Sequence, residues 1–347
     1  MATMYVTEQG ARIEKEYRRL LVSKHDEALL AVPLGRVSEV VLVGRVGATT
    51  PALLMLLDAG IPLSFVTRTG KLRGRLTPPS PKNLPLRHAQ YDRARDPDFC
   101  LAVGRAIVDG KLRNSRTLAY RIRRSRSRAR GEPLGSAQDK RRRTTAVGWP
   151  ERIEEAIQAV AQAEDMDTLR GIEGAAAKAY FHVFRGALRP EMTFEKRTRR
   201  PPRDPANSLL SLGYTLLTQN LMTACEVVGL DPYDGFFHAD KYGRPALALD
   251  LVEEFRGPVV DSVVQLVINK RMIGPDDFEA GREGGIYLSD RGLRKFLRQY
   301  TRRLNTEILH PYYDRRLSYQ KVFEVQARLL AKTVQGELDK YRPFRVR

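Results

Sequence analysis

The chain has 347 residues, 42% of them hydrophobic, so it can bury a sizeable core and is not a disordered tail. Its 60 Lys and Arg outweigh 41 Asp and Glu for a formal net charge of +19. That imbalance speaks against the near-neutral surface of an ordinary metabolic enzyme and for a polyanionic partner, because Lys and Arg on phosphates release condensed counterions. No run approaches the roughly 18 apolar residues of a membrane helix, and the amino terminus lacks a signal-peptide pattern, so a soluble, cytoplasmic protein is expected. Cys100 and Cys225 have no metal-type spacing and read as free thiols.

Taken in order, residues 4–68 read as short strands: Met4–Thr7, Leu20–Val22, Leu29–Pro33, Val40–Val43 and Leu63–Phe65. One helix interrupts them, with Thr50 and Pro51 as N-cap and first position and Gly60 as the stop. A basic hairpin, Arg68–Leu76, turns on Thr69-Gly70. This predicts a small β-rich domain over 1–77. Pro78, Pro79, Pro81 and Pro85 then predict an extended linker over 78–88, since proline fixes φ and removes donors. From residue 89 to 347 the pattern is helical. The fold class expected is α+β, a β-rich domain followed by a larger all-α domain.

In the helical part, Asp98–Val108 is expected to stop at Gly110, with an arginine-dense helix from Lys111 to about Arg124 and a loop over Ser125–Thr145. Residues 105–145 hold 14 Lys or Arg against 3 Asp or Glu. Leu112, Leu118, Tyr120 and Ile122 interleave with those arginines, which favours an ordered face towards nucleic acid over a solvated charge run. Glu151–Ala163 reads as an amphipathic helix, and Asp167 as the cap of the next. There Leu169, Ile172, Ala176, Tyr180 and Phe184 make a buried stripe, and Glu173 stands beside it between Gly171 and Gly174. Two glycines in mid-helix, each costing about 1 kcal/mol against alanine, suggest a close backbone approach.

A long helix from Asn207 ends at Gly229, a turn follows at Asp231–Gly235, then comes His238, and a further helix opens at Ala246. On it Asp250, Glu253 and Glu254 share a face. An imidazole and several carboxylates form the ligand set of a divalent cation such as Mg²⁺ or Mn²⁺. Singly, each has an ordinary reading: His238 as a packed side chain, Glu173 as a solvated one, Asp250 as a dipole partner of its own helix. Periodicity does not decide whether the three segments converge.

Several separated motifs do point one way. LRGIEGAAAKAYF around Glu173, NSLLSLGYTLL at 207–217, GLDPYDGFFH ending at His238 and RPALALDLVEEFRGPVVD at 244–261 closely resemble the universal integrase subunit of CRISPR adaptation, the CRISPR-associated protein one family. The amino-terminal TTPALLMLLDAGIPLSFVTRTGKLRGRL and the tail SYQKVFEVQARLLAKTVQGELDKYRPF fit as well, so the resemblance spans nearly the whole chain except Ser125–Trp149. It implies a β domain that dimerises and a helical domain holding one ion through Glu173, His238 and Glu253, with Asp250 as a nearby acid. Many family members carry aspartate where this chain has Glu253.

The reaction implied is attack by the 3′-hydroxyl of a captured DNA fragment on a phosphodiester of the CRISPR repeat, with water as an alternative nucleophile on single-stranded or branched DNA. The partners implied are double-stranded fragments, repeat DNA and a small ferredoxin-like protein, CRISPR-associated protein two, whose dimer two dimers of this chain sandwich in a heterohexamer. Arg256, Lys111, Asn114 and Arg116 are candidate phosphate contacts, as are Arg121, Arg123 and Arg124 on the basic helix. Two other classes compete: a metal-dependent nuclease of another fold, and an architectural DNA binder with no ion requirement.

Overall fold

The computed structural model describes residues 2–79, 83–129, 149–199, 201–238 and 241–346. Its amino-terminal part is strand-rich: β1 (Ala2–Val6), β2 (Arg12–Glu16), β3 (Arg19–Lys24), β4 (Glu27–Pro33), β5 (Val37–Val43), β6 (Gly47–Ala48), helix α1 (Thr50–Asp58), β7 (Leu63–Val66) and β8 (Leu72–Leu76). They form two four-stranded sheets, in the orders β1-β5-β7-β8 and β4-β3-β2-β6. The charged β2 was not visible as a strand in the sequence, where only Ile13 breaks a run of charge. Helix α1 is capped by Thr49 rather than Thr50.

β5 is buried on both faces, as a strand paired in parallel on either side requires. Its period-2 alternation divides the work. Val40 and Leu42 belong to the core of the strand-rich part, while Val41 and Val43 join the core of the helices. The first sheet is therefore a floor common to both parts. At the far edge of the second sheet, β4 leaves Leu29 and Leu30 about half exposed.

The rest is mainly helical: α2 (Leu84–Ala94), α3 (Pro97–Ala129), α4 (Trp149–Gln162), α5 (Met166–Ala187), α6 (Pro205–Val228), α7 (Ala246–Phe255), α8 (Ser262–Asn269), α9 (Asp290–Leu304) and α10 (Tyr319–Val334). Two small hairpins interrupt them, β9 (Phe278–Ala280) with β10 (Ile286–Leu288) and β11 (Glu307–Leu309) with β12 (Arg316–Ser318). The helical part is thus not all-α. α2 begins inside the stretch expected to be linker. Pro85 sits in its first turn, where a missing N–H costs no helical bond. Among the described residues no helix is long and apolar enough to cross a membrane.

Gly110 does not stop a helix; α3 runs straight through it. A Cβ there would lie 2.7 Å from Pro343 Cβ, so the glycine admits the carboxy-terminal segment against the helix. That segment is strapped down. Glu254 accepts from Tyr341 Oη at 2.5 Å and Phe344 N at 2.6 Å. The Asn114 amide donates to Glu254 O and Phe344 O and accepts from Val346 N. The strap ties α3 to α7, the two helices that carry Lys111 and Glu253. The expected loop at 125–145 lies partly within α3, which reaches Ala129; residues 130–148 fall outside the described ones.

Candidate active site

α7 starts after Pro245 and is apolar on nearly every side, so its three acids are buried with it. They do not act together. Asp250 turns to the preceding loop, accepting from Phe236 N, Phe237 N and His238 N at 2.7, 3.0 and 2.9 Å, and lies 2.7 Å from His238 Nδ1. Glu254 faces the strap, and burial pushes its pKa up to about 8 against the hydrogen bonds from Tyr341, Phe344 and Gln326. Only Glu253 faces Glu173.

The His238 loop fits because Gly235 has no Cβ; one would lie 2.8–2.9 Å from Ala246 and the Asp250 carboxylate. Gln90 of α2 fastens the same loop, donating to Asp231 O and Asp234 O and accepting from Asp231 N. Arg170 of α5 donates to Phe237 O at 3.0 Å. Sequence reasoning missed both. A glutamine and an arginine among so many polar residues give no signal until the loop is seen.

Glu173 lies on α5, whose N-cap is Asp165 rather than Asp167; of the expected stripe Leu169, Ala176, Tyr180 and Phe184 are buried and Ile172 is half-buried. Gly171 and Gly174 have open space where a Cβ would go, so among the described residues no backbone packs against them, contrary to expectation. Lys111 of α3 brings the two glutamates together. Its ammonium is ion-paired with Glu173 and stands 2.5 Å from Glu253 Oε2. That oxygen is buried, and the Lys111 ammonium is the cation that faces it.

Glu253 Oε1 lies 3.0 Å from Arg256 and 3.8 Å from His238 Nε2. Burial alone would raise the Glu253 pKa; chiefly Arg256 and Lys111 overcome it and hold it at about 2. Arg256 opens a π-helical turn, Arg256–Asp261, in which Pro258 lacks a donor and the spiral widens. Its guanidinium lies 4.7 Å above the Tyr214 ring. Tyr214 in turn donates to Asp261 at 2.5 Å, and Tyr180 does so at 2.6 Å. A cavity of about 440 Å³ opens beside this cluster, lined by Lys111, Glu173, Arg256 and Tyr214 together with basic residues such as Lys178, His182 and Arg185.

Among the described residues, no three His, Cys, Asp or Glu side chains already surround one ion position, and the Lys111 ammonium stands at the two glutamates. The donor chemistry nevertheless fits a divalent ion. There are two carboxylates that already gather round one cation. With Nδ1–H given to Asp250, His238 Nε2 keeps its lone pair towards Glu253.

Of the candidate phosphate contacts, Asn114 is corrected: it is buried and its amide is spent on the strap. Arg116 pairs with Glu154 of α4. Lys111 and Arg256 sit at the acidic cluster, on the wall of the cavity. Arg121 and Arg124 are exposed and Arg123 is half-buried, further along α3.

Residues 4–302 match the family model described as CRISPR associated protein Cas1. The chain belongs to the Cas1 family. It is 41% identical to the CRISPR-associated endonuclease Cas1 3 of Thermus thermophilus, over all of this chain and 98% of the relative. Among solved structures it resembles a casposase bound to integration product, at 22% identity and a TM-score of 0.82, over 99% of this chain and 93% of the other. It also resembles a chain of a Cas6-RT-Cas1–Cas2 complex, at 25% identity and a TM-score of 0.78, over 99% of this chain and 36% of that one. The strand-rich first part and helical second part match the fold of a solved CAS1 protein from Thermotoga maritima, at 22% identity and a TM-score of 0.78, over 97% of each chain.

Proposed function

We propose that this chain is a divalent-metal-dependent DNA integrase and endonuclease of CRISPR adaptation. One observation carries the reading: the Lys111 ammonium meets both Glu173 and Glu253, His238 Nε2 lies 3.8 Å from Glu253, and Glu173 lines a cavity with basic walls, in a Cas1-family chain. Family likeness to an endonuclease and to a casposase with its integration product supports the chemistry.

When bound, Mg²⁺ or Mn²⁺ supplies polarisation of the phosphate and a lower pKa for the attacking hydroxyl. The chain's own residues hold and orient. Asp250 fixes the His238 ring, Arg256 holds one oxygen of Glu253, and the basic wall of the cavity takes the phosphate backbone. In integration the 3′-hydroxyl oxygen bonds to the repeat phosphorus while the P–O bond to the neighbouring 3′-oxygen of that strand breaks, which leaves an ordinary 3′–5′ linkage. The proton of the attacking hydroxyl ends on solvent and the departing oxygen gains one. With water in place of the hydroxyl, the same exchange is hydrolysis.

The partners follow from the same reading: a homodimer through the strand-rich part, and a small Cas2-type protein joining two such dimers, supported by the likeness to a Cas1–Cas2 assembly. The test is integration of a DNA fragment into a supercoiled plasmid bearing the repeat, with Mn²⁺, Mg²⁺ or EDTA. His238→Ala, confirmed folded by circular dichroism, is expected to lose strand transfer. Near wild-type integration by that variant in Mn²⁺ overturns the site.

A further inference from the structure

Glu173 and Glu253 are carboxylates from different helices, and a single ammonium joins them. Glu253 has a second cation, Arg256, on its other oxygen, whereas Glu173 has its direct ion pair with Lys111. The Lys111 side chain is nearly buried, yet it also lines the cavity where basic residues gather. A lysine suits a temporary tenancy: a compact point charge on a flexible four-carbon stem, with rotatable donors and no planar fork to lock it in place.

We propose that Lys111 is the built-in counter-cation of this site, competing with the divalent ion for Glu173 and Glu253 and, once displaced, turning into the cavity to hold the DNA phosphate. This rests on the reading of Glu173, His238 and Glu253 as ion ligands. Without a cation the two carboxylates would repel across a poorly solvated gap, so the ammonium keeps the ligands gathered. An ion and an ammonium cannot both take the same Glu253 oxygen. Ion binding therefore releases one positive charge beside the place where the substrate's negative charge arrives. Ion and DNA then bind with mutual reinforcement, as two ligands of one coupled element must.

The experiment titrates Mn²⁺ into metal-free protein with no DNA present, following free Mn²⁺ by electron paramagnetic resonance. Wild type is compared with Lys111→Met, and with Lys111→Gln in case the first variant does not fold. Removing the competing charge is expected to tighten Mn²⁺ binding about tenfold, the scale of one charge-assisted hydrogen bond. In EDTA the variants should melt below wild type, and Mn²⁺ should raise their melting temperature more. A single-stranded oligonucleotide completes the test: Mn²⁺ should strengthen its binding to wild type and do so less in the variants. Unchanged or weaker Mn²⁺ binding in the variants, with normal binding in wild type, overturns the role of Lys111. If wild type itself binds no Mn²⁺ at millimolar concentration, the ligand assignment has failed first, and that outcome is distinct.

Discussion

Asp250 and His238 are joined twice, because one carboxylate oxygen takes both the ring nitrogen at 2.7 Å and the backbone N–H at 2.9 Å. The ring's orientation and its tautomer are thus set by a residue that has no oxygen to spare for an ion. Asp250→Asn replaces an acceptor with a group that also donates, so the ring loses its fixed tautomer. Strand transfer or ion affinity should drop about 10- to 100-fold with the fold retained. A Mn²⁺ dependence identical to wild type would show that the ring needs no such support.

Glu39 offers a pH test away from the site. It projects from β5 among Thr3 of β1, Asn220 and Thr223 of α6 and, at longer range, Arg75 of β8. Burial raises its pKa, and Arg75 with the three hydrogen-bonding partners only partly offsets that. A carboxyl raised on folding stabilises below its unfolded value and loses that contribution as pH climbs through its folded one. Melting temperature should therefore carry a downward component with rising pH above the ordinary glutamate range, and Glu39→Gln should flatten it. Parallel melting curves for the two proteins across that range would remove Glu39 from the account.

Binding of DNA should depend steeply on salt. If about six phosphates are neutralised, log affinity falls against log salt with a slope of roughly −5. Replacing Arg121, Arg123 and Arg124 together with alanine should flatten the slope by about one unit or more. The same slope in the triple variant takes the distal part of α3 out of the DNA path.

The half-exposed Leu29 and Leu30 on β4 mark the edge on which a second copy would pair. Light scattering at micromolar concentration should report a dimer, and Leu30→Glu should shift it towards monomer. A wild-type monomer there sinks the dimer; a dimeric variant moves the interface elsewhere.

The sequence made the apolar stripe of α5, the long α6 ending at Gly229 and the start of α7 at Ala246 readable, because each carries its own periodicity and its own punctuation. It misled at glycines. Gly110 looks like a stop because its true partner, Pro343, lies at the other end of the chain, and Gly171 and Gly174 look crowded but face open space. Nor can spacing separate Glu253 from Glu254, neighbours whose partners lie in different directions. Lys111 was readable as a basic residue near the site, but the carboxylates it joins come from helices whose meeting no local pattern encodes.

The strap over Gly110 has a consequence in time. Tyr341, Phe344 and Val346 close contacts with Asn114 and Glu254, pairings of very long sequence separation. Chains emerge from the ribosome at about 5–20 residues per second, so Glu254 is synthesised seconds before the residues that fasten it. Until they arrive, the strap is missing, and α3 and α7 are held only by their own packing and the Asn114 bond to Glu254 O. The site's final geometry is thereby set only once residues 341–346 have been made.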